Sequence, residues 1–437
     1  MPKVLPRWSV WLLLGLTLFL RGRALQTLSE GLKQDPDGYV AIAKLLDTKN
    51  TFAIRVEDDQ PIPTAFRPPL YPCLISWLDP GSVMGRNTRI GILHFLIGVG
   101  TVLLVWRLGL RWQSSPKIAL VAAVLVGIDP VLVQQSSQVM TETLATFLVV
   151  MTLFAFTIGS SRASLAMPFL AGGILGLAVL CRPTFLVWMF FVLLAGTWLA
   201  LGWRKRVAFF SATLVGLLFV VQPWVIRNWV QFGQPILSTT HGGYTLLRGN
   251  NLYFYEHVRL NPWGIWDSRY FDQRWQDVSY DGSGDDELSR DKLAYEVAGE
   301  FMRREPRKFA IVSLYRLSRL YGLVPWKVDP SESWRGRWLR YSIGVFYFVE
   351  FALAIVGVIT LGRQLLRPPW VWGTLLVLSF TLVHTFYWTD MRMRAPLVPV
   401  IALVAAVGAW RVWAWLRPAR GKVAPREAQG LPSLGLG

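Results

Sequence analysis

The chain has 437 residues, of which 53% are hydrophobic and 16% charged, and its mean hydropathy is positive. That is more apolar surface than a soluble globule of this length carries, so a membrane is the natural solvent, and the 22 Trp and 24 Phe suit the boundary between hydrocarbon and headgroups. The net charge of +18 lies in short clusters beside apolar runs and forms no continuous basic face, which argues against nucleic acid as a partner and for positive-inside anchoring.

Met1 to Arg7 followed by Trp8 to Leu20 has the charged and apolar regions of a signal peptide, but Arg21 and Arg23 follow where a small-residue cleavage site would stand. It reads as an uncleaved first span. Stretches approaching the roughly 20 apolar residues that a span needs cover 8–25, 89–110, 116–134, 138–158, 164–181, 184–202, 207–226, 341–362, 369–388 and 395–416. They predict an all-α polytopic membrane protein with about ten transmembrane helices. With the N-terminus inside, Arg107, Arg111 and Lys117, then Arg162, then Arg204 to Arg206, then Arg363 and Arg367, and finally Arg417, Arg420 and Lys422 all fall on the cytoplasmic side.

The same threading leaves two sizeable non-cytoplasmic loops, 26–88 and 227–340, expected to carry short amphipathic helices and the function. Residues 1–226 would form an N-terminal transmembrane bundle that includes the first loop, 227–340 an outer soluble region, 341–416 the C-terminal membrane helices and 417–437 a disordered cytoplasmic tail. Residues 309–326 are apolar but interrupted by Arg316 and Arg319, which predicts a helix lying in the interface. The expected setting is the inner (plasma) membrane, with the chemistry on its non-cytoplasmic face.

In chain order, the first residues suited to chemistry are Asp35 and Asp37, ahead of a helical face made by Tyr39, Ala43 and Leu46. Asp35 before Pro36 is also a plain helix start, so it is either a cap or a carboxylate desolvated at the membrane surface and thereby a better base. Next, the proline-rich run from Pro63 through Arg67 and Tyr71 to Pro72 fixes a rigid lead-in. Arg67 has no adjacent carboxylate there, so it either snorkels to headgroups or holds a phosphate. Glu142 at the start of a span is costly unless paired, and Arg182, at a helix break before Pro183, is a possible partner. Arg227, Asn228 and Asn250 belong to polar, Gly-rich stretches that suit a sugar ring, as any long polar loop does.

Near the end, His384 leads into Trp388-Thr389-Asp390-Met391-Arg392-Met393-Arg394, where both arginines fall on the outer side against the topological trend. A lipid phosphate is an economical partner for them, with Asp390 or headgroups as the alternative. Cys73 and Cys181 lie apart without a CxxC pattern, and His94, His241, His257 and His384 are scattered, so neither a disulfide framework nor a metal signature is indicated. No cofactor is required; a divalent cation on an Asp pair is the one alternative.

These blocks, in this order, resemble the membrane-embedded GT-C glycosyltransferases, specifically the branch similar to protein O-mannosyltransferases and lipid A aminoarabinose transferase. The residues that carry the resemblance are Asp35 to Ala43, Thr64 to Pro72, Thr141-Glu142, Gly176 to Pro183, Pro223 to Asn228, Gly249 to Asn251 and His384 to Pro399. It implies a polyprenyl-phosphate-linked sugar donor, inversion at the anomeric carbon and an acidic base in the first loop. By the family's spacing to the aromatic that base is Asp35, with Asp37 as competitor. The family's Arg-aromatic-Arg stands here as Arg392-Met393-Arg394, which keeps both charges and loses the ring.

The resulting expectation is a hexosyl- or pentosyltransferase. Asp35 or Asp37 would deprotonate an acceptor (glycan, lipid or protein), while Arg67, Arg392 and Arg394 stabilise the departing phosphate and Tyr39, Tyr71, Glu142, Arg182, Arg227, Asn228, Asn250 and His384 support the site. The competing classes are a transporter or flippase of a lipid-linked or acidic solute, and a membrane scaffold.

Overall fold

The computed structural model describes residues 7–78, 83–113, 115–159, 165–199, 202–262, 264–279, 287–326 and 331–417. The tail predicted to be disordered lies outside them except for its first residue. In chain order the first half comprises α1 (Arg7–Thr27), α2 (Tyr39–Lys49), β1 (Ala53–Glu57), β2 (Gln60–Pro63), α3 (Leu70–Ser76), α4 (Val83–Gln113), α5 (Pro116–Ile128), α6 (Pro130–Gln135), α7 (Glu142–Gly159), α8 (Ala166–Cys181), α9 (Phe185–Leu199) and α10 (Trp203–Phe232). The second half comprises α11 (Gly242–Gly249), α12 (Leu252–Leu260), α13 (Arg269–Ser279), α14 (Glu287–Arg304), α15 (Pro306–Leu320), α16 (Trp334–Leu361), α17 (Trp370–Phe386) and α18 (Val398–Leu416).

The chain is an all-α integral membrane protein, apart from one small hairpin. Six helices are long and apolar enough to cross a membrane, near residues 8–27, 85–113, 142–159, 203–232, 334–366 and 391–416. The other four apolar segments are helices of 10–17 residues, Pro116–Ile128, Ala166–Cys181, Phe185–Gly196 and Trp370–Phe386. Sequence punctuation explains where they stop. The predicted run 116–134 breaks at Asp129, which turns the chain and caps α6 by accepting the Leu132 N–H at 2.8 Å, with Pro130 at the first helical position. Helices α8 and α10 pack backbone to backbone, because a Cβ at Gly172 or Gly216 would collide with the carbonyl of Thr213 or Phe169. Gly357 and Gly408 do the same between α16 and α18.

The first loop departs from the prediction of helices alone. Strands β1 and β2 form an antiparallel hairpin whose turn residues, Asp58 and Asp59, have φ of 48° and 60°, the left-handed pair that a two-residue type I′ turn requires. In the second loop, α15 lies against α12 and α17, and its polarity is inverted. Arg316 is fully buried while Ile311 and Leu314 are 62% and 70% exposed. The Arg316 guanidinium donates to the carbonyls of Thr385 and Gly249, to Asn250 Oδ1 and to the Ser313 hydroxyl. Its charge faces protein and its apolar face points outward, opposite to a helix with its arginines in water.

Candidate active site

The predicted helix start at Asp35 is displaced. Helix α2 begins at Tyr39 after Gly38, whose φ of 73° turns the chain back so that Asp35 Oδ2 accepts the N–H groups of Val40 and Ala41, each at 3.0 Å. One carboxylate oxygen therefore caps the helix. The other, Oδ1, is buried and has no hydrogen-bond partner among the described residues. Asp37 faces Arg67 instead: the guanidinium reaches Asp37 Oδ1 at 3.0 Å through Nη2 and the Asp37 carbonyl at 2.8 Å through Nε. Arg67 also rests 4.9 Å from the Phe66 ring centre and 5.6 Å from that of Tyr39.

Behind this pair, Tyr39 and Tyr71 meet edge to face at 5.2 Å, and both are buried. Burial pushes the Tyr39 phenol well above its ordinary range, so it stays neutral. The Tyr71 hydroxyl lies 2.9 Å from His94 Nε2, and His94 Nδ1 lies 3.2 Å from the Ser136 carbonyl. A carbonyl only accepts, which assigns the proton to Nδ1 and makes Tyr71 the donor to Nε2. Tyr71 is within electrostatic reach of Asp35, Glu142 and Tyr39, so it stands between the first loop and the start of α7.

Glu142 is the hub on the far side. Its side chain is 2% exposed, and two guanidiniums converge on Oε1, that of Arg182 at 3.0 Å and that of Arg392 at 3.8 Å. The second carboxylate oxygen has no hydrogen-bond partner among the described residues. Arg182 and Arg392 are 12% and 23% exposed and reach the sulfur atoms of Met393 and Met140. Arg392 also feels the carboxylates of Asp37 and Asp390, which joins this hub to the first loop.

Arg394 is not brought to the group. Residues Met391–Leu397 form a 3₁₀ helix, so side chains two apart project about 240° from each other. Arg394 is accordingly buried elsewhere, with its guanidinium 3.8 Å from the Tyr347 ring centre and donating to the carbonyls of Gly322 and Leu320. Arg227, Asn228 and Asn250 join backbone segments. Arg227 donates to the Thr64 carbonyl at 2.8 Å and the Phe52 carbonyl at 3.1 Å, Asn228 to that of Ile236, and Asn250 to those of Leu246 and Phe386. His384 is buried, with Nδ1 2.9 Å from the Thr389 hydroxyl just before Asp390.

A cleft of about 670 Å³ opens between the two loops, with Asp37, Arg67, His241, Tyr244, Glu287 and Asp291 in its walls. Asp35 and Arg392 are not among its lining residues. Glu287 clamps the loops together by accepting from the Thr64 hydroxyl at 2.6 Å, the Ala65 N–H at 2.9 Å and the Thr240 hydroxyl. Asp291 accepts the Gly243 N–H at 2.7 Å, and burial pushes its carboxyl up to about 6. His241 packs on Phe66 and Tyr244, and burial together with nearby Arg67 and Arg248 holds it far below its ordinary value, hence neutral. Sequence reasoning missed Glu287, Asp291, His241 and His94. Glu287 and Asp291 follow the Asp285-Asp286 run and read as a solvated helix face, with no local signal of their partners. Among the described residues no group of three or more His, Cys, Asp or Glu is placed to hold a metal.

Residues 67–226 match the dolichyl-phosphate-mannose-protein mannosyltransferase family. Among solved structures, the chain is similar to the Archaeoglobus fulgidus oligosaccharyltransferase in its apo form, at 17% identity and a TM-score of 0.52 over 93% of this chain and 51% of that one. The chain carries a segment similar to that family and shares the fold of that oligosaccharyltransferase. It spans about half the length of that oligosaccharyltransferase, 51%. A further similar structure is ArnT from Cupriavidus metallidurans bound to undecaprenyl phosphate, at 14% identity, a TM-score of 0.42 and coverage of 92% of this chain and 78% of that one. No curated protein matches the chain. The matched segment contains Arg67, Tyr71, His94, Glu142 and Arg182, whereas Asp35, Arg392 and the second loop fall outside it.

Proposed function

We propose that this GT-C chain moves a sugar from a polyprenyl-phosphate-linked donor to an acceptor at the loop-bearing face of the membrane, with inversion at the anomeric carbon. The observation that carries the reading is the shared carboxylate. Arg182 and Arg392 both converge on one oxygen of Glu142, so Arg392, with Asp37 and Asp390 only within longer electrostatic reach, keeps a positive charge that no close carboxylate of its own neutralises. An external anion balances it, and a phosphate on a lipid tail is the anion that reaches this depth from the bilayer.

Asp35 supplies the base. Its partnerless oxygen takes the proton of an acceptor hydroxyl or amine while the other oxygen, bound to two backbone N–H groups, holds the carboxylate in place. The acceptor attacks the anomeric carbon from the side opposite the phosphate. The bond from that carbon to the phosphate oxygen breaks, and its electron pair becomes the charge that Arg182 and Arg392 meet. Asp37 keeps Arg67 in position beside the cleft, which admits the acceptor from water. Arg394 acts at a distance, by fixing the turn that aims Arg392. In this reading all ten apolar helices cross a plasma membrane, the loops face outward and the basic end faces the cytoplasm. The reaction as written involves no metal.

Reconstituting the purified chain in liposomes with a labelled polyprenyl-phosphate sugar and a membrane extract as acceptor source tests the reading. The expected result is release of polyprenyl phosphate with transfer of label. Intact donor recovered on the opposite leaflet identifies a flippase instead, and donor neither cleaved nor moved overturns the reaction.

A further inference from the structure

The opposite end of the bundle has the reverse chemistry. Helices α5 and α18 run antiparallel: Asp129 after α5 feels Arg394 before α18, while Lys117 at the start of α5 lies 5.7 Å and 5.6 Å from the ring centres of Trp410 and Trp413 near the end of α18. Around that far end stand Lys117, Arg363, Arg367, Arg411 and Arg417, and residues 99–128, 185–215, 357–386 and 400–417 contain no Asp or Glu.

Here a groove of about 460 Å³ runs between α16 and α18, lined by Val356, Ile359 and Thr360 on one side and by Arg411 and Trp415 on the other. It begins beside Gly357 and Gly408, where the two backbones touch. Its walls are apolar except for two groups. The Thr360 hydroxyl is taken up by the Val356 carbonyl at 2.7 Å. The Arg411 guanidinium rests 5.3 Å from the Trp415 ring centre, and among the described residues no carboxylate lies within ion-pair distance of it. Ile359 and Trp415 are 75% and 62% exposed, so the groove is open to whatever surrounds the bundle.

We propose that this groove binds an anionic phospholipid of the bilayer, with an acyl chain along Val356, Ile359 and Trp415 and the phosphate on Arg411. A guanidinium on the lipid-facing side of a helix is expensive until an anion meets it, and two parallel N–H groups suit phosphate oxygens. Surrounding cations with no acid among them concentrate anionic headgroups at this end. A zwitterionic lipid offers the same chain but no net charge. The site is independent of glycosyl transfer and lies across the bundle from Glu142.

Native mass spectrometry of the full chain, released from bilayers of equal parts phosphatidylglycerol and phosphatidylcholine, reads the site directly. Wild type is expected to retain phosphatidylglycerol preferentially. Arg411→Gln should weaken that preference about fivefold, the factor that about 1 kcal/mol per surface cation represents. Ile359→Trp, which fills the groove and leaves every charge in place, should weaken retention similarly, while Arg363→Gln should change it little. Both altered side chains of the groove are exposed, so folding is not at stake. Equal retention of the two lipids by wild type overturns the proposal. So does loss in Arg411→Gln without loss in Ile359→Trp, which is the mark of diffuse surface charge. Unchanged retention in both variants also overturns it.

Discussion

Replacing Arg392 by Gln is the sharpest test of how the Glu142 hub meets a phosphate. Arg392 shares Oε1 of Glu142 with Arg182 from 3.8 Å, a separation at which it is the looser of the two partners and the freer to turn to a ligand. A charge-assisted hydrogen bond in such a setting contributes about 1.5–3 kcal/mol, so its removal should lower kcat/KM for the lipid-linked donor by roughly ten- to a hundredfold. Glu142 keeps Arg182, so the fold should tolerate the change. The control is Tyr347→Phe, which removes the hydroxyl donating to Asp129 and accepting from Val131 beside Arg394, while leaving the ring on which Arg394 rests. It should cost about 1 kcal/mol of stability and leave donor dependence near wild type. Transfer rates at varied donor concentration, paired with thermal unfolding in detergent, separate the two effects. If Arg392→Gln shows unchanged donor dependence, or Tyr347→Phe raises the donor KM as much, the assignment of Arg392 to the phosphate fails.

Three further changes test the rest of the site. Asp35→Asn should abolish transfer and leave expression intact, because the Asn carbonyl oxygen can still accept from Val40 and Ala41; full activity in this variant would show that Asp35 is only a cap. Glu287→Ala leaves the Ala65 N–H and the hydroxyls of Thr64 and Thr240 without their acceptor, each at about 1–3 kcal/mol when buried, so hydrogen exchange in residues 60–68 and 238–245 should accelerate together; unchanged exchange would refute the clamp. Asp291 titrates near 6 in the folded chain against 3.8 ordinarily, so the folded state binds its proton more tightly. The stability linked to it is full below the ordinary value of 3.8 and is lost as pH rises through about 6, hence α11 protection should fall between about pH 4 and pH 6 in wild type and stay flatter in Asp291→Asn.

Much of the architecture is legible in the sequence because hydrocarbon tolerates little besides apolar helices, and each predicted apolar segment contains a helix in the structure, although the run 116–134 is split at Asp129. The hairpin at Asp58-Asp59 was harder to read, since Asp in a left-handed turn looks like any acidic loop until its neighbours pair. Side-chain direction was the larger gap. Arg392 and Arg394 differ by two positions, which face one way in an extended strand and about 240° apart in a 3₁₀ turn, and nothing in Met-Arg-Met-Arg-Ala-Pro decides between them. Arg316 and Arg319 likewise read as the wet face of a helix, although Arg316 finds carbonyls exposed by the end of α17 and by α11, partners more than sixty residues away. Asp35 held both readings from the start; in the structure Oδ2 caps the helix, and Oδ1 meets no hydrogen-bond partner among the described residues.

How Arg182, Arg316, Arg392 and Arg394 are satisfied separates architecture from site. Arg316 is met by backbone carbonyls, an amide and a hydroxyl, all neutral, which fix its fork in place. Arg394 is met by an aromatic face and two carbonyls. Arg182 has a carboxylate at 3.0 Å. Arg392 has the Met140 sulfur and a longer share of that same carboxylate, at 3.8 Å, with Asp37 and Asp390 further off, and of the two at Glu142 it is the one that a ligand anion would displace least. A stabilising role alone would favour one carboxylate per guanidinium. Two on one is the arrangement that, under the proposed reaction, a departing phosphate would complete.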